Sequence, residues 1–134
     1  MHPAASAVRP SGHGARVLVV DDEPLVGRAV SRVLAPRHEV AVATSGAEAL
    51  ALVQAGHVFD LVLCDLMMPG MSGMELYRTV SELAPDVAER FVFLTGGAFT
   101  LEAEAFLSST PVERIIKPFD SAALRLLAAA RARR

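Results

Sequence analysis

LVLCDLMMPGMSGMEL, residues 61–76, holds a complete structural unit. Leu61 to Cys64 are four apolar residues without alternation, the pattern of a strand buried on both faces in a parallel sheet. The run ends on an acid, Asp65, and a Pro69-Gly70 turn follows. Ser72 and Glu75 then stand at the spacing of a capping box, which opens a helix. Leu76, Val80 and Leu83 give that helix one apolar stripe. Strand, acid, turn and helix together make one β–α unit.

The same unit recurs on both sides. Val17–Val20, Phe91–Leu94 and the shorter Val112…Ile115-Ile116 are further apolar runs, and His38–Ala43 alternates as an edge strand does. Pro24 marks a helix start, with Val26, Val30, Val33 and Leu34 on one face and Arg28, Ser31 and Arg32 opposite. Ser45 and Glu48 have capping-box spacing ahead of a stripe of Ala47, Leu50 and Val53. An Ala-rich helix is expected over about Thr100–Leu107. Asp120 can cap a last helix that carries Leu124, Leu127 and Ala128, with Arg131, Arg133 and Arg134 at the end where cations suit the dipole. Five β–α units in strict alternation predict an α/β domain: a parallel sheet with helices on both faces. Residues 1–14, rich in Pro, Ser, Gly and His, read as a flexible leader or linker, and residues 15–134 as the domain.

Composition narrows the function. The 134 residues are one domain's worth, 52% hydrophobic against 21% charged, which excludes disorder of the whole chain. With 13 basic and 15 acidic residues the net charge is −2, which argues against wrapping a nucleic-acid duplex. The single cysteine, Cys64, cannot form an internal disulfide and fits a reducing compartment. No apolar run approaches the ~20 residues of a membrane span, and residues 1–16 lack the apolar stretch of a secretory signal. Every basic residue but one is Arg; the exception is Lys117.

Open α/β sheets bind ligands beyond the carboxyl ends of their strands. Those ends carry Asp21-Asp22-Glu23, Asp65, Thr95-Gly96-Gly97 and Lys117-Pro118. Several carboxylates in one crevice repel each other, and a hard divalent cation such as Mg²⁺ relieves them. A lysine offers a point charge to a phosphoryl oxygen, a threonine hydroxyl can donate to another, and the glycines permit close backbone approach. Carboxylate, Mg²⁺, amine and hydroxyl together suit phosphoryl transfer onto an aspartate. Other residues have plainer readings. Met67, Met68, Met71 and Met74 read as core filler, Cys64 as an inert core thiol and Phe91 and Phe93 as core. His2, His13, His38 and His57 read as solvated surface, and Asp22 or Glu23 can serve simply as a helix cap.

VLVVDDEP at 17–24, LVLCDLMMPGMSGMEL at 61–76, FVFLTGGA at 91–98 and IIKPFD at 115–120 together resemble the receiver domain of two-component response regulators. The resemblance covers about residues 15–132. It implies a flavodoxin-like (βα)5 fold with a five-stranded parallel sheet of order 2-1-3-4-5. It implies Asp65 as phosphoacceptor, and Mg²⁺ held by Asp22, Asp65 and the backbone carbonyl of Met67, with Asp21 acting mainly through water. Thr95 becomes the switch hydroxyl and Lys117 the partner of Asp65, with a cis Lys117–Pro118 bond. The switch region comprises Thr95, Gly96, Gly97 and Arg114. Receivers usually carry Tyr or Phe where this chain has Arg114, a departure shared with receivers of hybrid histidine kinases.

The implied role is that of a cytoplasmic signalling domain that catalyses only its own phosphorylation and dephosphorylation. The implied partners are a histidine kinase or histidine phosphotransfer protein and an unidentified downstream protein. A weak homodimer is allowed for, with no membrane and no direct nucleic-acid binding, since no output domain follows the last helix. A stand-alone regulator and a piece of a hybrid kinase both fit. Two other classes stay open: an interaction module with this fold that is not phosphorylated, and a small aspartate-nucleophile phosphatase of the haloacid-dehalogenase type. The second lacks its DxD signature here, because residues 21–23 read Asp-Asp-Glu.

Overall fold

The computed structural model describes residues 14–96 and 100–132. Strands β1 (Arg16–Val20), β2 (Glu39–Ala43), β3 (Leu61–Asp65), β4 (Phe91–Thr95) and β5 (Glu113–Ile116) form one sheet of order β2-β1-β3-β4-β5. Every pairing is parallel, with Val17 opposite Leu61, Val62 opposite Phe91 and Thr95 opposite Ile116. The helices are α1 (Pro24–Leu34), α2 (Gly46–Gln54), α3 (Gly73–Leu83), α4 (Pro85–Ala88), α5 (Leu101–Ser109) and α6 (Ser121–Arg131).

The twofold period of a strand divides each apolar run between two cores. Val17, Val19, Leu61, Leu63, Val92 and Leu94 pack against Val30 and Leu34 of α1 and Leu124 and Ala128 of α6. Leu18, Val20, Val62, Cys64, Phe91 and Phe93 pack on the other face with α2, α3, α4 and α5. Burying a Leu, Val or Phe side chain in this way contributes on the order of 1.5–3 kcal/mol. Burial on both faces of β1, β3 and β4 is what brings their acidic or hydroxylic ends to one edge.

Local signals act as the sequence predicts at most termini. Pro24 opens α1, Ser72 and Glu75 form a complete capping box, and the Asp120 carboxylate accepts from the Ala122 amide. At α2 only half of the box forms. Ser45 accepts from the Glu48 amide, while the Glu48 carboxylate turns to the Thr44 amide at 2.7 Å.

Several expectations are corrected. The alternation is not strict: Pro85 starts the extra turn α4, whose Val87 and Ala88 are buried, and Leu83 is left 53% exposed. In α2 the buried residue is Ala49, and Ala47 faces outward. The Ala-rich helix begins at Leu101, with the Thr100 hydroxyl as its cap, and runs on to Ser109. β5 lies at the sheet edge and is mostly exposed, Ile116 at 71%. Met68 and Met74 are core as expected, but Met67 is 41% exposed. His38 is not solvated surface: it is buried, and its Nδ1 accepts from the Ala15 amide at 2.9 Å. The leader (apart from Gly14), His2, His13, Gly97, Arg133 and Arg134 lie outside the described residues.

Candidate functional site

Asp21 immediately follows β1. Its amide donates to the Ala43 carbonyl at 3.1 Å, tying the β1 end to β2. Its side chain is buried: Oδ1 accepts from the Glu23 amide at 2.9 Å and Oδ2 accepts from Lys117 Nζ at 3.0 Å. Asp65, the last residue of β3, is 9% exposed. Asp22 is exposed beside them, and the three carboxylates each offer an oxygen within 4.8 Å of the others. Glu23 caps α1 by position, yet its side chain makes no capping hydrogen bond, so the plain capping reading does not account for it.

α3 can approach Asp65 only because residue 73 is glycine. The Gly73 amide donates to the Leu66 carbonyl at 3.0 Å, and a Cβ there would collide with the Asp65 carbonyl oxygen. Opposite, the Lys117 amide donates to the Thr95 carbonyl at 2.6 Å, which fastens the end of β5 to the end of β4. The Lys117–Pro118 bond is cis, as the resemblance implies. Lys117 Nζ lies 3.7 Å from Asp65 Oδ1, and nearer still to Asp21. Thr95 is buried at its strand end, and Gly96 leaves room beside the Lys117 side chain.

The electrostatics follow from this crowding. Burial pushes the Asp65 carboxyl up to about 6, and the neighbouring Asp21 and Asp22 add to the rise. Lys117 and a backbone hydrogen bond from Met67 oppose it. Burial alone would lower Lys117, but its hydrogen bond with Asp21 and the charges of Asp65, Asp21 and Glu23 raise it instead. One ammonium therefore serves three clustered carboxylates. A compact group of hard oxygen donors carrying excess negative charge is chemically suited to a hard cation.

The structure thus brings together Asp21, Asp22, Asp65, the Met67 backbone, Thr95, Gly96 and Lys117. Arg114 stands apart. It is exposed on β5 opposite Phe93, in a surface groove with Glu104, Leu107 and Ser108. Glu23 and Gly73 were not singled out from sequence. The third acid of Asp21-Asp22-Glu23 signals the first, and the glycine at the mouth of a capped helix signals the second.

Residues 17–129 match the response regulator receiver domain. The DNA-binding response regulator MtrA of Mycolicibacterium smegmatis is 36% identical over 120 residues, which are 89% of this chain and 51% of that protein. The transcriptional regulatory protein DltR of Streptococcus agalactiae is 34% identical over 107 residues, 79% of this chain and 46% of that one. The chain thus spans about half the length of these relatives. Among solved structures, a response regulator receiver domain protein of Clostridium thermocellum superposes with a TM-score of 0.74 at 27% identity, covering 87% of this chain and 93% of that one. A CheY-like receiver of Methanospirillum hungatei gives 0.66 at 29%, covering 86% and 91%.

These relatives overturn one expectation. MtrA is named for DNA binding, so a net charge of −2 is no ground for excluding nucleic acid. The charge was summed over a stretch half as long as the proteins it resembles, and so says nothing of what such proteins bind as a whole. Among the described residues no helix is long and apolar enough to cross a membrane.

Proposed function

Because the chain belongs to the response regulator receiver domain family of two-component signalling, we propose that Asp65 accepts a phosphoryl group from the phosphohistidine of a kinase or phosphotransfer protein. The observation that carries this reading is the placement of Lys117 Nζ between Asp21 Oδ2 and Asp65 Oδ1, at 3.0 and 3.7 Å, beside a third carboxylate.

An Asp65 carboxylate oxygen attacks phosphorus, the P–N bond breaks, and the imidazole leaves with the electron pair. Lys117 holds the carboxylate in place and offers its charge to a phosphoryl oxygen. Asp21, Asp22, Asp65 and the Met67 carbonyl would hold Mg²⁺, which supplies positive charge to the transferring phosphoryl oxygens. The Thr95 hydroxyl then closes on the new phosphoryl group, and Gly96, Gly97 and Arg114 adjust with it, a population shift between two conformations. The chain in this reading catalyses only its own phosphorylation and dephosphorylation. Residues 15–134 act as one unit in the cytoplasm, with output through a partner protein or a phosphorelay.

Magnesium-dependent binding of beryllofluoride tests the reading. Saturable binding that is lost in Asp65→Asn supports it. No binding by the folded parent would favour a module of the same fold that is not phosphorylated.

A further inference from the structure

Tyr77 of α3 meets three phenylalanine rings. Its centroid lies 5.5 Å from Phe91, 5.9 Å from Phe93 and 5.7 Å from Phe106, each in edge-on geometry. Phe93 and Phe106 also meet each other at 5.4 Å and 90°. Phe93 stands two residues before Thr95 on β4, so the two side chains project to the same face of the sheet.

α5 begins just beyond Thr95 in the chain, and its attachment is thin. Its buried residues are Ala103 and Phe106, whereas α3 buries Gly73, Met74, Leu76 and Val80. Phe106 is therefore the one large side chain by which α5 is keyed into the core. It is keyed against Phe93 on one side and Tyr77 on the other. Arg78, exposed on α3, lies over the Phe106 ring with its guanidinium carbon 5.4 Å from the centroid, so the cluster reaches the surface there. On the β5 side no equivalent exists, since the residue opposite Phe93 is the exposed Arg114.

We infer that the response to phosphorylation travels from Thr95 through Phe93 and Phe106 to Tyr77 and Arg78, and emerges between α3 and α5 rather than along β5. This rests on the reading of Asp65 as phosphoacceptor. Close-packed rings do not deform smoothly; they exchange between discrete packings. A displacement at the end of β4 that carries α5 must reseat Phe106, and Tyr77 is the ring it reseats against.

The chain provides its own probe, because Tyr77 is its only tyrosine and it has no tryptophan. Tyrosine emission and intact mass are followed together on adding acetyl phosphate and Mg²⁺ to the parent, Asp65→Asn and Phe106→Leu. The parent gains one phosphoryl group and its emission changes, and Asp65→Asn shows neither. Phe106→Leu gains the group but loses most of the emission change. Circular dichroism checks its fold, and Phe106→Met replaces it if leucine does not fold. A phosphorylated parent with unchanged emission, or a Phe106 variant with the full change, overturns the inference. A parent that gains no mass overturns the phosphoacceptor reading, and this inference with it.

Discussion

Lys117 Nζ is bonded to Asp21 Oδ2 at 3.0 Å and stands 3.7 Å from Asp65 Oδ1. The only lysine of the chain thus leans on the buried acid of β1 while facing the acid at the end of β3. A flexible point charge can pass from one carboxylate to a new phosphoryl oxygen with a small movement, whereas a planar guanidinium cannot turn in the same space. Lys117→Arg should therefore still take up phosphate but lose most of the Tyr77 emission change. Lys117→Ala should slow phosphoryl uptake by roughly 10²-fold, the usual order for one lost electrostatic contact. Phos-tag electrophoresis over time measures both.

Asp65 bears the cost of its own site in the absence of metal. Its folded carboxyl titrates at about 6, raised from the ordinary 3.8 by burial and then by Asp21. A raised acid holds its proton more tightly when folded, so its contribution to stability is full below the ordinary value and is lost as pH rises through about 6. Above that pH, Asp65→Asn should raise the melting temperature of metal-free protein. The gain should be about 1 kcal/mol once solvent screening is allowed for, or roughly 3–5 °C. Magnesium should raise the melting temperature of the parent and do so less in the variant. Differential scanning fluorimetry with and without EDTA checks this.

His38 works at the opposite end of the sheet. Burial and then the neighbouring Arg37 hold its imidazole below the ordinary 6.5, and Nδ1 must stay unprotonated to accept from Ala15. The unfolded chain then binds the proton more readily, so stability present above about pH 6.5 falls as the pH drops below it. His38→Asn, whose Oδ1 can accept in place of Nδ1, should flatten that slope between pH 7 and 5. Urea midpoints at several pH values are the measurement.

Gly73→Ala places a methyl group against the Asp65 carbonyl, a backbone atom that can yield only by moving β3 or α3. Overpacking of this kind costs about 1–3 kcal/mol. The variant should melt lower and accept phosphate more slowly, because the movement displaces the acceptor itself. A variant that melts lower but reacts at the parental rate would separate packing from positioning.

The sequence discloses the site wherever a residue ends a buried run. Asp65, Asp21 and Thr95 follow uninterrupted apolar stretches, so a parallel sheet had to bring them to one edge, and the rarity of lysine marked Lys117. What it conceals depends on neighbours across the fold. That Lys117 leans first on Asp21 follows from packing between residues 96 positions apart. The exposure of β5 follows from its place at the sheet edge, which composition does not encode. α4 was hidden because Pro85 signals a stop as readily as a start, and His38 because its acceptor role depends on the Ala15 amide from another strand's entry.

The central claim is that Asp65 is the phosphoacceptor, and intact-mass spectrometry tests it most directly. After incubation with acetyl phosphate and Mg²⁺, the parent should gain the mass of one phosphoryl group, EDTA should prevent the gain, and Asp65→Asn should show none. Undiminished phosphorylation of Asp65→Asn would contradict the account.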